Sequence, residues 1–513
     1  MPTHCILRPV ALISLSLALI ACGGGGSNDS SANDGASQPS LEPSLAPSLA
    51  PSAAPTPEPD LCEGLSEGEQ QSRTRYQAPV VIAPEVCQSE QQTRLCEQGV
   101  LTPWTGSFEF SHCEQQLPDN ANLPLWQISD MQYLGGFRLS AAKFGDSAYP
   151  NLSYSPAAIA LNQANHSLFI VGHDWEQGIA EFAIPDVVNS RDPADFNVGD
   201  QALQNFAPFH DTDRVDTGID NWFRVNGMYL IDGQLIVNYM NWYDAGGGET
   251  DTSVRFVDAS DLANSEMHGP YQLDGAAHVA GWITDVPENW QADFGGTHIS
   301  GHAHGSIHSR LSTGPSGFIW SPRQTMLQQT NGPVATEAVL DFPHRRAQML
   351  YDKTIYGDLS ISVQDVLYNT DRQNQLWTAL SEAAFGIIIP GTNTYLTIGN
   401  SGGHESGIGY KATQDTGYTC GGPCSLAAAD NYSYYWLWRV TDMLKVKNGE
   451  MAPWDVRPYD YGKLDSLGLI NLKGGAYDAN TGKLYVAFKN ADTLNNYARP
   501  PLFLVYQLHQ PGG

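Results

Sequence analysis

The sequence predicts an all-β protein, and three observations carry that prediction. From about Trp126 onward, short runs rich in Val, Ile, Leu, Phe and Tyr alternate with turn clusters of Asn, Asp and Gly. Apolar positions almost never recur at the 3.6-residue period of a helix. The strand, turn and strand unit returns along the chain: residues 157–161, a turn at 162–165, 167–173 and 179–184 form one copy, and 227–230 with Asp232-Gly233 and 234–239 another. Residues 385–389 with 395–399, and 475–478 with 483–488, continue the series. Antiparallel units repeating every forty to eighty residues or so describe a β-propeller of roughly five to seven blades over residues 125–510.

Ahead of that region come three other pieces. Residues 1–22 carry a basic start, an apolar run after Arg8 and the close Leu19-Ile20-Ala21-Cys22, which predicts a lipoprotein signal peptide whose Cys22 is acylated. The run is too short for a permanent membrane span, and acyl chains on Cys22 would anchor the mature chain stably. Palmitate on that cysteine would make the membrane its first partner. Gly23 follows the cysteine where an aspartate would mark inner-membrane retention, so the expected address is the cell envelope, at the outer membrane. Residues 23–60, rich in Gly, Ser, Pro and Ala, are a linker with too little apolar bulk to offset chain entropy.

Cysteine usage agrees with an exported chain. Cys5 and Cys22 fall in the signal, leaving the even set Cys62, Cys87, Cys96, Cys113, Cys420 and Cys424 for an oxidising compartment. The first four mark residues 61–115 as a small module stapled by two disulfides, with three pairings open. Cys420-Gly421-Gly422-Pro423-Cys424 is a tight loop that a local disulfide would close.

Two resemblances rest on short motifs. Arg73-Thr74-Arg75-Tyr76, Gln92-Thr93-Arg94-Leu95-Cys96 and Trp104-Thr105-Gly106 make the stapled module similar to the thrombospondin type 1 kind, in which guanidinium groups stack on an indole. Tyr133-Leu134-Gly135-Gly136-Phe137-Arg138-Leu139, Gly172-His173-Asp174-Trp175-Glu176-Gln177, Val446-Lys447-Asn448-Gly449 and Pro453-Trp454 make the stretch from Tyr133 to Leu508 resemble uncharacterised secreted bacterial β-propeller proteins. That resemblance implies a fold and no activity.

Charge narrows the function. With 55 acidic against 26 basic residues and a net charge of −29, nucleic acid is not an expected partner, and an anionic ligand would need a local cationic pocket. In a propeller, the ends of the second strands converge at one mouth of the channel, which selects His173 with Asp174, residues 238–243, and His404 with Glu405. His298, His302, His304 and His308 fall within eleven residues. Alternate histidines of a strand share a face, so His298, His302 and His304 are the candidate ligands of a divalent metal ion.

The favoured reading is an enzyme acting on extracellular polysaccharide, a lyase. It needs a base, for which His173 and His302 are candidates, a group to neutralise a uronate carboxylate, Arg224, and an acid, Tyr243. Asp174, Trp242, His404 and Glu405 would bind substrate. Asp174, Asp220 and Glu405 could instead form the paired carboxylates of a glycoside hydrolase. The reading from another class is a carbohydrate- or protein-binding scaffold that uses Trp242-Tyr243 and Tyr434-Tyr435-Trp436 as stacking platforms.

Overall fold

The structure is a computed structural model that describes residues 62–82, 85–116, 119–210, 223–241, 247–302, 311–357 and 363–511. It divides into two compact units, Met1–Glu69 with Cys96–Leu101, and Gln70–Leu95 with Thr102–Gly513. Cys22 and the linker lie outside the described residues. No helix among the described residues is long and apolar enough to cross a membrane.

In the first unit a disulfide joins Cys62 to Cys96. The turn after Cys96 is held by Glu67, whose carboxylate accepts the backbone N–H groups of Gln98 at 2.7 Å and Gly99 at 3.0 Å. These bonds hold the Glu67 carboxyl below the usual carboxylate range.

The second unit starts with β1 (Gln70–Tyr76), β2 (Val80–Ile82), the strand β3 (Ser89–Glu97, whose end pairs with β4, Val100–Leu101, in the first unit) and β5 (Glu114–Gln116). β1 and β3 are antiparallel from Gln70↔Leu95 to Tyr76↔Ser89. The second disulfide is Cys87–Cys113, so of the open pairings the chain adopts Cys62–Cys96 with Cys87–Cys113. The Arg73 and Arg94 guanidinium groups lie 4.1 and 4.6 Å from the centroid of the Trp104 ring, the spacing of cation–π contacts.

After β6 (Met131–Leu139) the chain builds five sheets of four or five strands, antiparallel except for one parallel edge strand in each of two. The first holds β7 (Ile159–Asn162), β8 (Ser167–Val171), β9 (Ile179–Ala183) and β11 (Ala202–Ala207), while β10 (Val198–Gly199) runs parallel to β6. The second holds β12 (Phe223–Ile231), β13 (Gln234–Asn241), β14 (Ser253–Phe256) and β15 (Met267–Leu273). The third holds β16 (Trp282–Asp285), β17 (His298–Gly301), β18 (Gly317–Trp320) and β20 (Glu337–Leu340), with β19 (Gly332–Val334) added to the edge of the second.

The fourth sheet holds β21 (Glu382–Ile388), β22 (Thr394–Gly402), β25 (Asn431–Arg439) and β26 (Asp460–Lys463). Between β22 and β25 the chain inserts a hairpin of β23 (Ile408–Tyr410) and β24 (Pro423–Ser425), and the Cys420–Cys424 disulfide closes its loop. The fifth holds β27 (Leu472–Asp478), β28 (Lys483–Phe488) and β29 (Leu502–Leu508), completed by β6 from the far end of the chain, paired from Arg138↔Leu502 to Met131↔Leu508.

The arrangement is propeller-like. Middle strands such as Leu168-Phe169-Ile170-Val171 and Leu484 to Phe488 are buried along their whole length, as sheets covered on both faces require, so they read as continuous apolar runs. The first strands neighbour one another in turn, β7 with β12, β12 with β16, β16 with β21, β21 with β27, and β27 with β7. Glycine allows this approach. A Cβ at Gly227 would come within 2.0 Å of the Gly281 carbonyl oxygen, and one at Gly474 within 2.1 Å of the Ala157 oxygen.

Candidate functional site

The first strands define an axis with two different ends. Near its middle, Ile159, Asn226, Ile283, Ala384 and Gly474, from five different strands, line a void of ≈10 Å³, room for about one water. The starts of the first strands and the ends of the second strands lie on one side of this constriction, and here charge gathers.

Asp174 follows β8 in a turn closed by the N–H groups of Glu176 and Gln177 donating to the His173 carbonyl at 3.1 and 2.7 Å. Buried Gln177 ties this turn to β12: its Oε1 accepts the Val225 N–H at 2.8 Å and its Nε2 donates to the Phe223 carbonyl at 2.8 Å. Arg224 lies between those two residues. Its Nε thereby comes to 3.1 Å from Asp174 Oδ1 and Lys489 Nζ, following β28, to 3.9 Å. Asp174 Oδ1 is within ion-pair reach of both cations but meets the directional criteria of a hydrogen bond with neither.

Lys473 projects from β27 at a bulge between Leu472 and Gly474, and Asn226 from β12 at a bulge between Val225 and Gly227. An extra residue in one strand re-aims its side chain, which is how two strands of a tightly packed ring present polar groups here. Lys473 pairs with Glu382 at the start of β21, and Asn400 locks the neighbouring strand by bonding both the N–H and the carbonyl of Leu472 at 2.9 Å. Among the described residues Asn226 Nδ2 and Asn490 Oδ1 are buried without a hydrogen-bond partner.

Among the described residues, three cations, Arg224, Lys473 and Lys489, therefore stand with two carboxylates, Asp174 and Glu382. Burial holds the Lys489 ammonium below the usual lysine value, against the pull of Asp174 and with the push of Lys473 and Arg224. Beside this group stands an aromatic patch: Tyr149 stacks on His173 with centroids 4.8 Å apart, and Trp175, 71% exposed, meets Tyr149 edge-on at 5.0 Å.

His173 and Asp174 were selected from a strand end and Arg224 for its charge, and the structure brings Arg224 to Asp174. The base role expected of His173 does not fit. The Trp175 N–H donates to its Nδ1 at 3.2 Å, so the neutral ring carries its proton on Nε2 and has its lone pair occupied. Burial lowers its pKa and keeps the ring neutral. Lys473, Lys489, Glu382 and Asn226 were not anticipated. The strand-end rule applied to residues 483–488 would have reached Lys489, whereas a lysine inside a strand, like Lys473, gives no signal distinct from a solvated face.

The histidine cluster is divided. His298 opens β17 and His302 follows its end, so they stand about 13 Å apart along the strand. One ion cannot hold both, because alternation puts residues on one face without bringing them together. His302 is buried and its backbone N–H donates to Ser316 Oγ at 2.8 Å. Among the described residues no group of three His, Cys, Asp or Glu side chains is placed to hold a metal. His304, Tyr243, Trp242 and Asp220 lie outside the described residues.

His404 also departs from expectation. Its Nε2 and Nδ1 are taken by Ser401 Oγ at 2.7 Å and the Asn374 carbonyl at 2.9 Å, and its ring stacks on Tyr434 in the interior. A histidine with both nitrogens committed is a structural tie rather than a substrate contact. Glu405 is exposed and engages Lys463 at 3.1 Å and Tyr432 at 3.2 Å. Tyr434, Tyr435 and Trp436 are buried in the fourth sheet and form core, not a platform.

No family model matches the chain, and no curated protein matches it. Among solved structures, the PQQ-bound aldose sugar dehydrogenase of Streptomyces coelicolor is similar at 11% identity and a TM-score of 0.29, over 71% of this chain and 98% of that one. A glucose dehydrogenase-type oxidoreductase of Thermus thermophilus is similar at 10% identity and a TM-score of 0.27, over 70% of this chain and 98% of that one.

Proposed function

We propose that this chain is an exported, lipid-anchored protein built on a closed five-bladed β-propeller, and that its narrow mouth binds the carboxylates of an acidic polysaccharide. The observation that carries this reading is the grouping of Arg224, Lys473 and Lys489 at one end of the axis, in a chain whose net charge is −29. Cations gathered against that background, in excess of Asp174 and Glu382, favour an anion more than any other ligand. Exposed Trp175 and Tyr149 offer ring faces to the apolar side of a sugar, and the unpartnered amides of Asn226 and Asn490 suit its hydroxyls.

Five blades are supported by the five sheets and the ring of first strands, and closure by β6 completing the last sheet. Export is supported by three disulfides and the Leu19-to-Cys22 motif, with the outer membrane as the proposed address. The proposed thrombospondin-like module is supported by the stacking on Trp104. Replacing Cys22→Ser should abolish incorporation of labelled palmitate, and labelled mutant protein would refute the anchor.

A lyase is favoured by the placement of Lys489 beside Arg224, both reaching Asp174 Oδ1, with burial holding the ammonium below the usual lysine value. Neutral Lys489 would take the proton next to a uronate carboxylate while Arg224 neutralises that carboxylate, and the Lys489 ammonium so formed would return the proton to the leaving oxygen.

One experiment separates these readings: purified full-length protein titrated calorimetrically with polygalacturonate and with dextran, while the unsaturated-uronate absorbance is followed. The proposal expects saturable, salt-sensitive binding of polygalacturonate alone. Growing absorbance, abolished by Lys489→Met, assigns a lyase; binding without it assigns a binder. Equal affinity for dextran, or no binding, overturns the proposal.

A further inference from the structure

The opposite end of the axis opens into a cavity of ≈840 Å³, within the size range of small-molecule sites. Its walls come from the later halves of the same five first strands, with Ile159, Met228, Ile283, Phe385, Ile387 and Ala476 giving an apolar lining. Its charged lining residues are all acidic: Asp232, Asp285 and Glu288, with no Lys, Arg or His among the described lining residues. Asp232 is committed to Arg323 through two bonds of 2.8 and 2.9 Å. Among the described residues neither Asp285 nor Glu288 has a Lys or Arg within ion-pair distance, while Asp285 Oδ1 lies 3.3 Å from His298 Nε2 and near enough to Arg323 to raise the pKa of that guanidinium.

Asp285 is held by a hydrogen-bonded chain. The Tyr229 hydroxyl donates to Asp285 Oδ1 at 2.7 Å, so the His298 Nε2–H donates to the Tyr229 oxygen at 3.2 Å and His298 Nδ1 accepts from Thr297 Oγ1 at 2.8 Å. Every donor and acceptor in this order is used once, His298 is neutral, and the negative charge stays on Asp285. His298 is buried, Tyr229 is partly so and lines the cavity, while Asp285 is 69% exposed at the rim. Among the described residues Asp232, Asp285 and Glu288 outnumber the one guanidinium beside them, Arg323, so the rim keeps a net negative charge over an apolar chamber, which suits a cation.

We propose that this wide mouth is a second binding site, for an organic cation with an apolar body, an alkyl- or aryl-ammonium compound, whose head meets Asp285 and Glu288 and whose body fills the chamber. The site is independent of the polysaccharide reading, because none of Arg224, Lys473 and Lys489 lines this cavity.

The test uses purified full-length protein and benzyltrimethylammonium as the probe, with phenylacetate as the anionic control, by titration calorimetry. Expected are saturable binding of the cation, none of phenylacetate, an affinity reduced about tenfold or more by Asp285→Asn, and no change with Lys489→Met. Should Asp285→Asn fail to fold, Glu288→Gln, which alters only the first turn of the helix Glu288–Phe294, carries the same expectation. Absence of binding, equal affinity for phenylacetate, or an unchanged affinity in the foldable variants overturns the proposal. Failure of polygalacturonate binding leaves these results unaffected.

Discussion

The two ends of the axis are built from the same five strands and carry opposite chemistry. At the narrow mouth, bulges in β12 and β27 turn Asn226 and Lys473 toward the axis and loops after β8 and β28 add Asp174 and Lys489. At the wide mouth the strands run without bulges, their apolar side chains line the chamber, and among the described lining residues the charged ones are carboxylates, one of them paired with Arg323. Local backbone irregularity, rather than a change of architecture, therefore decides which end is polar. Because the strands nearly touch between the ends, each mouth can be altered without the other.

The largest expected effect comes from breaking what the two mouths share. Gly474→Val places a side chain where a Cβ already comes within 2.1 Å of the Ala157 carbonyl oxygen, so the ring must open. A loss of roughly 3 kcal/mol or more in denaturant unfolding is expected, together with weakened binding at both ends. A variant as stable as the parent would show that the first strands are not packed in this way.

Next in size is a pH effect confined to the wide mouth. Burial pushes the His298 pKa down to about 4, against the pull of Asp285. Between the ordinary imidazole value near 6.5 and the folded value, the unfolded chain binds the extra proton. Stability contributed by neutral His298 is thus present above about pH 6.5 and lost as the pH falls to 4, a change of about 3 kcal/mol. Unfolding curves at several pH values should show that loss in the parent and a much flatter profile in His298→Gln. Parallel profiles would contradict it.

A smaller change sharpens the comparison from the other side. Trp175→Ala should weaken polygalacturonate binding by about 1 kcal/mol and leave stability nearly unchanged, since the ring is 71% exposed. The same substitution should not alter binding of benzyltrimethylammonium.

Sequence reading reached the fold class because strands buried on both faces print as unbroken apolar runs, as in residues 167–171 and 483–488. It also reached His173 and Asp174 through the rule that second strands deliver their ends to one mouth, and Arg224 through the charge a uronate would require. It could not see which residue of a first strand is bulged, so Lys473 and Asn226 stayed hidden among ordinary polar positions. Nor could spacing reveal that His298 and His302, both buried near one short strand, serve opposite ends of the axis. His404 shows the remaining difficulty: its pairing with Asn374, thirty residues away, exists only once the fourth sheet has formed.

The central claim is that the narrow mouth recognises an anion through Arg224 and Lys489 while the wide mouth does not depend on them. The most direct measurement is the affinity of Arg224→Ala and Lys489→Met for polygalacturonate and for benzyltrimethylammonium, in protein verified as folded. The account predicts a loss of about tenfold or more on polygalacturonate in each variant and no change for the ammonium probe. Unchanged polygalacturonate affinity in both variants, or an equal loss for the two ligands, would contradict it.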